Sequence, residues 1–297
     1  MQVKEKAAKK ASLQKVGLLI LLILIVLIFI NNFTLSLFIK SKDRINVVIY
    51  DDKTTFYSFD KTDYSISFAP DLKVFVPGGY GNYRVGALGK LVALENNPDI
   101  FKRTFSATVS TVADYYFYPQ SDTIYYGGRS GERPFPSLKE LFIYSSNASF
   151  LDKIYLFFSF LSAKRGDFTS LEPITSIDKG DHAQIFDSSS FAKNYQGYFY
   201  QKTYRNEGAT VQILYNNNYD SALRISTILD STGIQVVDLE QTDNKIKNCL
   251  IIKQNNNFPK TVSTLAAFFN CGIQVGKTSS SGIILELGKR EEQWSTK

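Results

Sequence analysis

The sequence predicts an α/β protein with a single N-terminal transmembrane helix, a mixed-sheet α/β domain, and a small duplicated βαβ domain that ends in a hairpin. Three observations predict this order. A long uncharged apolar segment lies near the N-terminus, strand-like runs alternate with helical patterns in the middle, and the C-terminal third contains an internal repeat. With 44% hydrophobic residues in 297, the chain has enough apolar material for one or two ordinary cores outside a membrane.

The apolar segment predicts a membrane span. No residue between Lys15 and Lys40 is charged. A helix over residues 16–39 rises about 1.5 Å per residue, which is enough for a hydrocarbon core of roughly 30 Å. A cleavable signal peptide is the alternative, but the residues after Ile30 contain no small-x-small cleavage site. We therefore expect residues 1–15 to form a basic tail and residues 16–39 an uncleaved anchor.

The distribution of charge predicts the orientation of this anchor in the membrane. Five lysines and one glutamate precede residue 16, so about +4 of the net charge of +6 lies in the tail. Short basic flanks stay in the cytoplasm. We expect a single-pass plasma-membrane protein with a cytoplasmic N-terminus and an extracytoplasmic body. Because the body itself carries little net charge, nucleic acid is not an expected partner.

The C-terminal third is organised by a repeat, in which residues 211–236 match residues 250–275 at an offset of 39 residues. The corresponding segments are Asn216–Tyr219 with Asn255–Phe258, and Gly233–Val236 with Gly272–Val275. Each copy has the pattern strand, turn, helix, strand. Two βαβ units are therefore expected, followed by a hairpin between Ile273–Val275 and Ile283–Leu287.

Both predicted helices of the repeat carry helical spacing and terminal signals. Gly233 stands where a left-handed C-terminal cap belongs, and Pro259 suits a first helical turn. The expected core-facing stripes are Ala222, Ile225, Ile228 and Leu229 in the first copy, and Val262, Leu265, Ala266 and Phe269 in the second.

The region 44–207 is less regular and predicts a mixed α/β domain. Its expected strands are Ile45–Tyr50, Thr54–Phe59, Tyr64–Phe68, Lys73–Val76 and Asp114–Tyr118. A glycine loop, Gly78–Gly81, leads to Arg84 and a helix over Val85–Leu94. The run Phe150–Leu161 follows a capping Ser149, and it is so apolar that we expect a helix buried on most sides.

The C-terminal part, about Gly208–Lys289, resembles the C-terminal domain of LytR envelope proteins. The resemblance is carried by Val-x-Ile-Leu-Tyr-Asn, Gly-Ile-Gln-Val-Val and Ser-Ser-Ser-Gly-Ile-Ile-Leu-Glu-Leu-Gly-Lys. The preceding region resembles the catalytic domain of the same LytR-CpsA-Psr (LCP) family, through Ser67–Asp71, the glycine loop with Arg84, and Asp114–Tyr116. Catalytic members of that family move a glycopolymer from a polyprenyl pyrophosphate carrier to the cell wall.

The departures from the family pattern bear on activity. The family strand ends Ile-Pro-Arg-Asp, whereas this chain has Ala69-Pro70-Asp71 without the arginine. The family segment Arg-x-Asp-Thr is replaced by Tyr50–Lys53. Bidentate arginine contacts and a carboxylate-held cation supply much of the charge neutralisation that pyrophosphate chemistry needs. The domain is therefore expected to be degenerate.

The candidate site residues follow from the same resemblance. The catalytic candidates are Asp71 and Arg84. The candidate ligand contacts are Gly79, Tyr80, Gly81, Arg84 and Arg129, and the candidate metal ligands are Asp51 and Asp71. No cofactor is expected, except Mg²⁺ if the domain is catalytic. His182 is the only histidine, which excludes a multi-histidine metal site.

Three functions stay open on the sequence. The first is a membrane-anchored pseudoenzyme of the cell envelope that binds wall glycopolymer, a polyprenyl phosphate lipid or a membrane partner. The second is an active phosphotransferase that attaches glycopolymer to the wall. The third is a structural component of a membrane assembly. The domains expected are 44–207, 208–290 and a tail at 291–297.

The two cysteines, Cys249 and Cys271, each precede a strand of the second repeat unit. If the repeat units interleave, another strand separates these two strands. Two sheet spacings of about 4.8 Å then exceed the ~7 Å limit for bridged Cα atoms. We expect unpaired cysteines on that arrangement, whereas adjacent strands would permit a bond.

Overall fold

A computed structural model describes residues 20–24, 26–27, 30–34, 36–40, 42–121, 123–126, 135–163, 168–178, 182–242, 246–254, 257–278 and 281–296. The tail 1–15 and the first residues of the predicted span, 16–19, lie outside these ranges. Residues 20–24, 26–27 and 30–34 are helical and exposed. Within the described ranges, no helix combines the length and the apolar character that crossing a membrane requires.

The described elements comprise strands and helices in mixed order along the chain. The strands are β1 (Ile45–Ile49), β2 (Thr55–Phe59), β3 (Asp63–Ser67), β4 (Lys73–Val76), β5 (Gly81–Arg84), β6 (Tyr115–Tyr118), β7 (Ser145–Ser146), β8 (Phe168–Ser170), β9 (Thr175–Ile177), β10 (Gln184–Phe186), β11 (Thr210–Tyr215), β12 (Gln235–Gln241), β13 (Leu250–Lys253), β14 (Gly272–Val275) and β15 (Ile283–Glu286). The helices are α1 (Leu37–Lys40), α2 (Leu88–Glu95), α3 (Asp99–Val109), α4 (Leu138–Phe142), α5 (Phe150–Ser162), α6 (Ser188–Asn194), α7 (Lys202–Glu207), α8 (Tyr219–Thr232) and α9 (Pro259–Phe269). A 3₁₀ turn, Val85–Ala87, precedes α2.

The largest sheet has the order β7-β6-β1-β2-β3-β8. In it, β1 pairs antiparallel with β2 and parallel with β6, so the mixed-sheet α/β domain is confirmed. Successive side chains of a strand point to opposite faces. Val47 and Ile49 accordingly join the core under α4 and α5, whereas Val48 and Tyr50 join the core under α2 and α3. The sheet is thus covered on both faces.

A smaller sheet of order β5-β4-β10-β9 is built around the hairpin of β4 and β5. Its buried residues Val74, Val76 and Phe186 belong to the same core as α2 and α3. The two sheets therefore form one body around a shared core.

The C-terminal sheet has the order β12-β11-β15-β13-β14. In each repeat unit the two strands are parallel and joined by a helix, as the pattern predicted. Gly233 takes the expected left-handed cap, with φ of 101°. The expected hairpin is wrong, because β15 lies between β11 and β13 and does not pair with β14. In this central place β15 has hydrogen-bonded neighbours on both sides and leaves no open edge of its own.

The expectation of unpaired cysteines is also wrong. The repeat units do not interleave through β13 and β14, which are direct parallel neighbours with Leu250 opposite Gly272. Cys249 and Cys271 stand just before these two residues, and their Cα atoms are 4.8 Å apart. They form a disulfide that joins the amino ends of β13 and β14.

Helix α5 begins at the predicted cap, with a capping box between Ser149 and Asp152. Its predicted burial on most sides is wrong. Leu156 and Phe160 pack on the large sheet, but Phe158 is 57% and Leu161 63% exposed. The helix is apolar on its outer side as well as its inner side.

The chain end packs on the C-terminal domain instead of standing off as a tail. A 3₁₀ helix, Gly288–Trp294, follows β15, and Trp294 is 2% exposed beside Phe268 and Phe269. Glu291 accepts backbone hydrogen bonds from Asn216 at 2.7 Å and Asn217 at 2.8 Å. These contacts fix the Asn-rich turn that precedes α8.

Candidate functional site

Asp71 and Arg84, the catalytic candidates, lie at the same end of the β4–β5 hairpin. Arg84 is opposite Lys73, and the Val85 amide donates to the Leu72 carbonyl at 2.9 Å. Both side chains are exposed. A guanidinium in this position can bind an anionic group, and the nearby carboxylate can orient it.

The glycine loop lies at the other end of that hairpin. Gly81 is opposite Val76, three residues along the strand from Arg84, which places them about 10 Å apart. The amides of Gly78 and Gly79 both donate to the Ser295 carbonyl, at 3.0 and 3.3 Å. The loop is therefore attached to Ser295, and the candidate contacts Gly79, Tyr80 and Gly81 lie at the opposite end of the hairpin from Arg84.

Tyr80 belongs to a cluster on the loop side of the hairpin. Burial, and next to it a hydrogen bond with the Glu95 carboxylate, raise the pKa of the Tyr80 phenol, while Arg103 acts in the opposite direction. This cluster connects the loop to α2 and α3. The candidate Arg129 lies outside the described residues.

Asp51 is buried in the turn after β1, at the same edge of the large sheet as the end of β3. Its Oδ1 accepts the Lys53 amide at 2.7 Å, and its carbonyl accepts the Thr54 hydroxyl at 2.9 Å. Among the described residues, no group of three or more His, Cys, Asp or Glu side chains can hold a metal ion. Mg²⁺ is commonly held by one or two carboxylates together with substrate phosphates, so a metal site at Asp51 or Asp71 stays a prediction.

Beneath this edge, Tyr50 organises the backbone. Its hydroxyl donates to the Gly86 carbonyl at 3.1 Å and accepts the Gly89 amide at 2.8 Å. The Tyr125 amide also donates to the Gly86 carbonyl, at 2.9 Å. Burial raises the pKa of the Tyr50 phenol, so the hydroxyl keeps its proton and its donor role. This edge is a rigid hydrogen-bonded surface.

A second concave region lies at the opposite edge of the large sheet, at the amino ends of β1 and β6. It is a cavity of about 480 Å³ between the large sheet, α7 and α9. Charged side chains in its wall include Lys42, Lys102 and Asp114. The sequence singled out Asp114 only as part of the family resemblance and did not indicate Lys42 or Lys102, because only the tertiary fold brings positions so distant in the chain together.

Solved structures of LytR-CpsA-Psr proteins resemble this chain. TagT of Bacillus subtilis is 14% identical, with 52% of this chain and 88% of TagT covered and a TM-score of 0.35. The transcriptional regulator YvhJ of Bacillus subtilis is 11% identical, with 51% and 94% covered and a TM-score of 0.36. A transcriptional regulator of Enterococcus faecalis is 10% identical, with 65% and 89% covered and a TM-score of 0.36.

A further solved structure that resembles this chain is described as the LytR-CPS2A-psr family protein TagT with bound octaprenyl pyrophosphate lipid, which is the family that the sequence resembles. The resemblance of residues 208–289 to the LytR C-terminal domain stays a prediction. No protein-family model matches the chain, and no curated protein matches it either.

Proposed function

We propose that this protein is a membrane-anchored, extracytoplasmic protein of the cell envelope that binds a polyprenyl-linked or wall glycopolymer without transferring it. The observation that carries the membrane part is the junction between the apolar N-terminal segment and the body. Leu37 is 2% exposed, and its amide donates to Asp152 Oδ1 at 2.8 Å. Helix α1, which follows the apolar segment, is thus attached to the body.

The surface beside this junction is apolar. Phe38 packs edge-to-face on Tyr155 of α5, with ring centroids 5.2 Å apart. The outer sides of α4 and α5 continue this surface with exposed apolar residues, namely Leu138, Phe142, Ile143, Phe150, Phe158 and Leu161. We call this surface the apolar face. Exposed apolar residues grouped in this way mark a protein or membrane contact. A bilayer around the preceding apolar helix would cover that helix and the apolar face together.

The topology is tested with protease on intact cells and on spheroplasts. Digestion of the body from outside, with the basic tail spared, supports the proposal. Protection of the C-terminal domain until the membrane is opened contradicts it.

The non-catalytic part follows from the missing arginine before Asp71. Loss of one preorganised donor to a developing charge costs about 10²–10³ in rate. We expect the full chain, in detergent with Mg²⁺ and a polyprenyl-pyrophosphate-linked glycopolymer, to bind the lipid and to transfer nothing. Metal-dependent transfer that disappears in both Asp71→Ala and Arg84→Ala would show an active site and overturn this part.

A further inference from the structure

The cavity at the amino ends of β1 and β6 is formed by parts of the chain that the proposed function does not use. Because β1 and β6 are parallel, their amino ends share one edge of the sheet, while Asp51 follows the carboxyl end of β1. The cavity therefore lies across the sheet from the candidate site. Helix α9 of the C-terminal domain closes its other side through Thr264 and Phe268.

One ammonium group in the wall is paired but keeps hydrogen-bonding capacity. Lys42 forms an ion pair with Asp114, and the other oxygen of Asp114 accepts the Asn46 amide at 2.9 Å. Despite the cost of burial, this carboxylate raises the pKa of Lys42. The carboxylate is satisfied by the protein, whereas an ammonium group has three donors. Lys42 can therefore bind a further acceptor.

A second ammonium group, that of Lys102, faces the same cavity without an ion pair to any described carboxylate. Its Nζ lies 4.6 Å from the ring centroid of Phe268 and 3.4 Å from the Phe268 carbonyl oxygen. Burial lowers the pKa of Lys102, the carboxylates of Asp99 and Asp114 act in the opposite direction, and the charge of Lys42 lowers it slightly further. The wall of the cavity thus contains two ammonium groups.

A third group in the wall has an unused donor. Gln201 is 2% exposed, and its Nε2 is buried without an acceptor among the described residues. An unsatisfied buried donor typically costs ~1–3 kcal/mol. Because this nitrogen has almost no accessible surface, it reaches a ligand acceptor in the cavity when the Gln201 side chain rotates. The amide donor also points to a ligand independently of the two lysines.

We infer that this cavity binds a phosphate group carried by a small organic moiety, with Lys42, Lys102 and Gln201 as its donors. A phosphate offers three oxygens to two ammonium groups and one amide, and charge-assisted bonds of this kind are the strong ones. The cavity is larger than a phosphate alone, and Val112, Ala113 and Phe268 supply apolar wall for an attached carbon chain. Both a phospholipid headgroup and a free glycerol phosphate unit have this chemistry.

The test is calorimetric titration of the full chain in maltoside detergent with inorganic phosphate, glycerol 3-phosphate and dihexanoyl phosphatidic acid. We expect saturable binding of at least one probe, weakened about tenfold or more by Lys102→Met, which corresponds to about 1.4 kcal/mol or more. Lys90→Met, which removes an exposed lysine on α2, is the matched control and leaves binding unchanged. Equal affinity for the two organic probes assigns a soluble phosphate, and binding of the lipid alone assigns a headgroup.

Two further variants test the site if the Lys102→Met protein does not fold. Lys102→Arg retains a cation and is expected to retain binding, and Gln201→Leu is expected to weaken it several-fold with unchanged circular dichroism. Asp71→Ala and Arg84→Ala, at the opposite edge of the sheet, are expected to leave phosphate binding unchanged. A failure of the phosphate site can therefore be told apart from a failure of the proposed function. Absence of saturable binding of all three probes, or equal binding by Lys102→Met and Lys90→Met, overturns the inference.

Discussion

Gly86 shows how closely the backbone segments approach beneath the candidate site. A Cβ added to it would lie 2.2 Å from the Tyr125 carbonyl oxygen and 3.1 Å from the Pro70 Cβ. Both neighbours are held in place, since Gly86 also exchanges backbone hydrogen bonds with Pro70 and Tyr125. The glycine is required here for close approach of the chain.

We therefore expect Gly86→Ala to reduce the free energy of unfolding by about 3 kcal/mol, as overpacking against fixed backbone does. The matched control is Gly272→Ala, where a Cβ would meet only the Leu250 side chain at 3.4 Å. That variant is expected to stay within about 0.5 kcal/mol of the parent. Urea unfolding of both variants checks this, and equal stabilities contradict the close approach.

Lys102 carries a cost in the unliganded protein, because burial disfavours its charged form. We expect Lys102→Met to raise the Tm in phosphate-free buffer by about 2–4 °C. The folded-state pKa is below the unfolded value of about 10.4, so the unfolded state holds the proton more tightly. The stability of the parent should therefore rise relative to Lys102→Met as pH rises in the window just below that value. Thermal unfolding of the parent and of Lys102→Met at several pH values measures this change in relative stability. A difference in Tm that stays constant with pH contradicts the prediction.

The second repeat unit is stabilised by a covalent link between its two strands. The disulfide closes a loop with a sequence separation of 22 residues around α9. Closing a loop of this length restricts the unfolded chain and contributes about 3 kcal/mol. We expect the free energy of unfolding to fall by about that amount in a Cys249→Ser, Cys271→Ser double variant. The first unit, β11–α8–β12, is expected to stay folded.

The pairing itself is checked by counting thiols in the denatured protein. No free thiol before reduction and two after it are expected. Two thiols before reduction, in protein purified without reductant, contradict the disulfide.

Elements that depend on local signals were predictable from the sequence. The caps at Ser149 and Gly233, Pro259 at the start of α9, and the stripe through Ile225 and Leu229 all appear as expected. These features need only neighbouring residues.

Strand order was not predictable in the same way. The place of β15 between β11 and β13 depends on pairing between strands far apart in the chain. The disulfide and the missing hairpin both follow from that order. Lys42, Lys102 and Gln201 likewise come together only in the folded chain, so the cavity had no sequence signal.

The whole molecule has two unlike sides. Helix α5 covers one face of the large sheet and α2 the other, since their buried residues belong to different cores. The apolar face therefore points away from α2. If a bilayer surrounds the N-terminal segment, α5 lies near it and α2 lies far from it.

Brominated-lipid quenching in nanodiscs tests this orientation. Phe158→Trp places a fluorophore on the apolar face, and Leu94→Trp places one on the exposed side of α2, where Leu94 is 74% exposed. Trp294, the single native tryptophan, is buried and provides the constant background. We expect strong quenching of the first and little of the second. Equal quenching, with the protein still in the discs, contradicts the orientation.

The attachment of the glycine loop to Ser295 has a consequence for the order of synthesis. The amides of Gly78 and Gly79 find their acceptor in Ser295, more than 200 residues later in the chain, and Arg224 donates to the Trp294 carbonyl at 2.9 Å. A ribosome makes these acceptors long after the hairpin. The β4–β5 hairpin therefore reaches its final contacts only after residue 295 has left the ribosome.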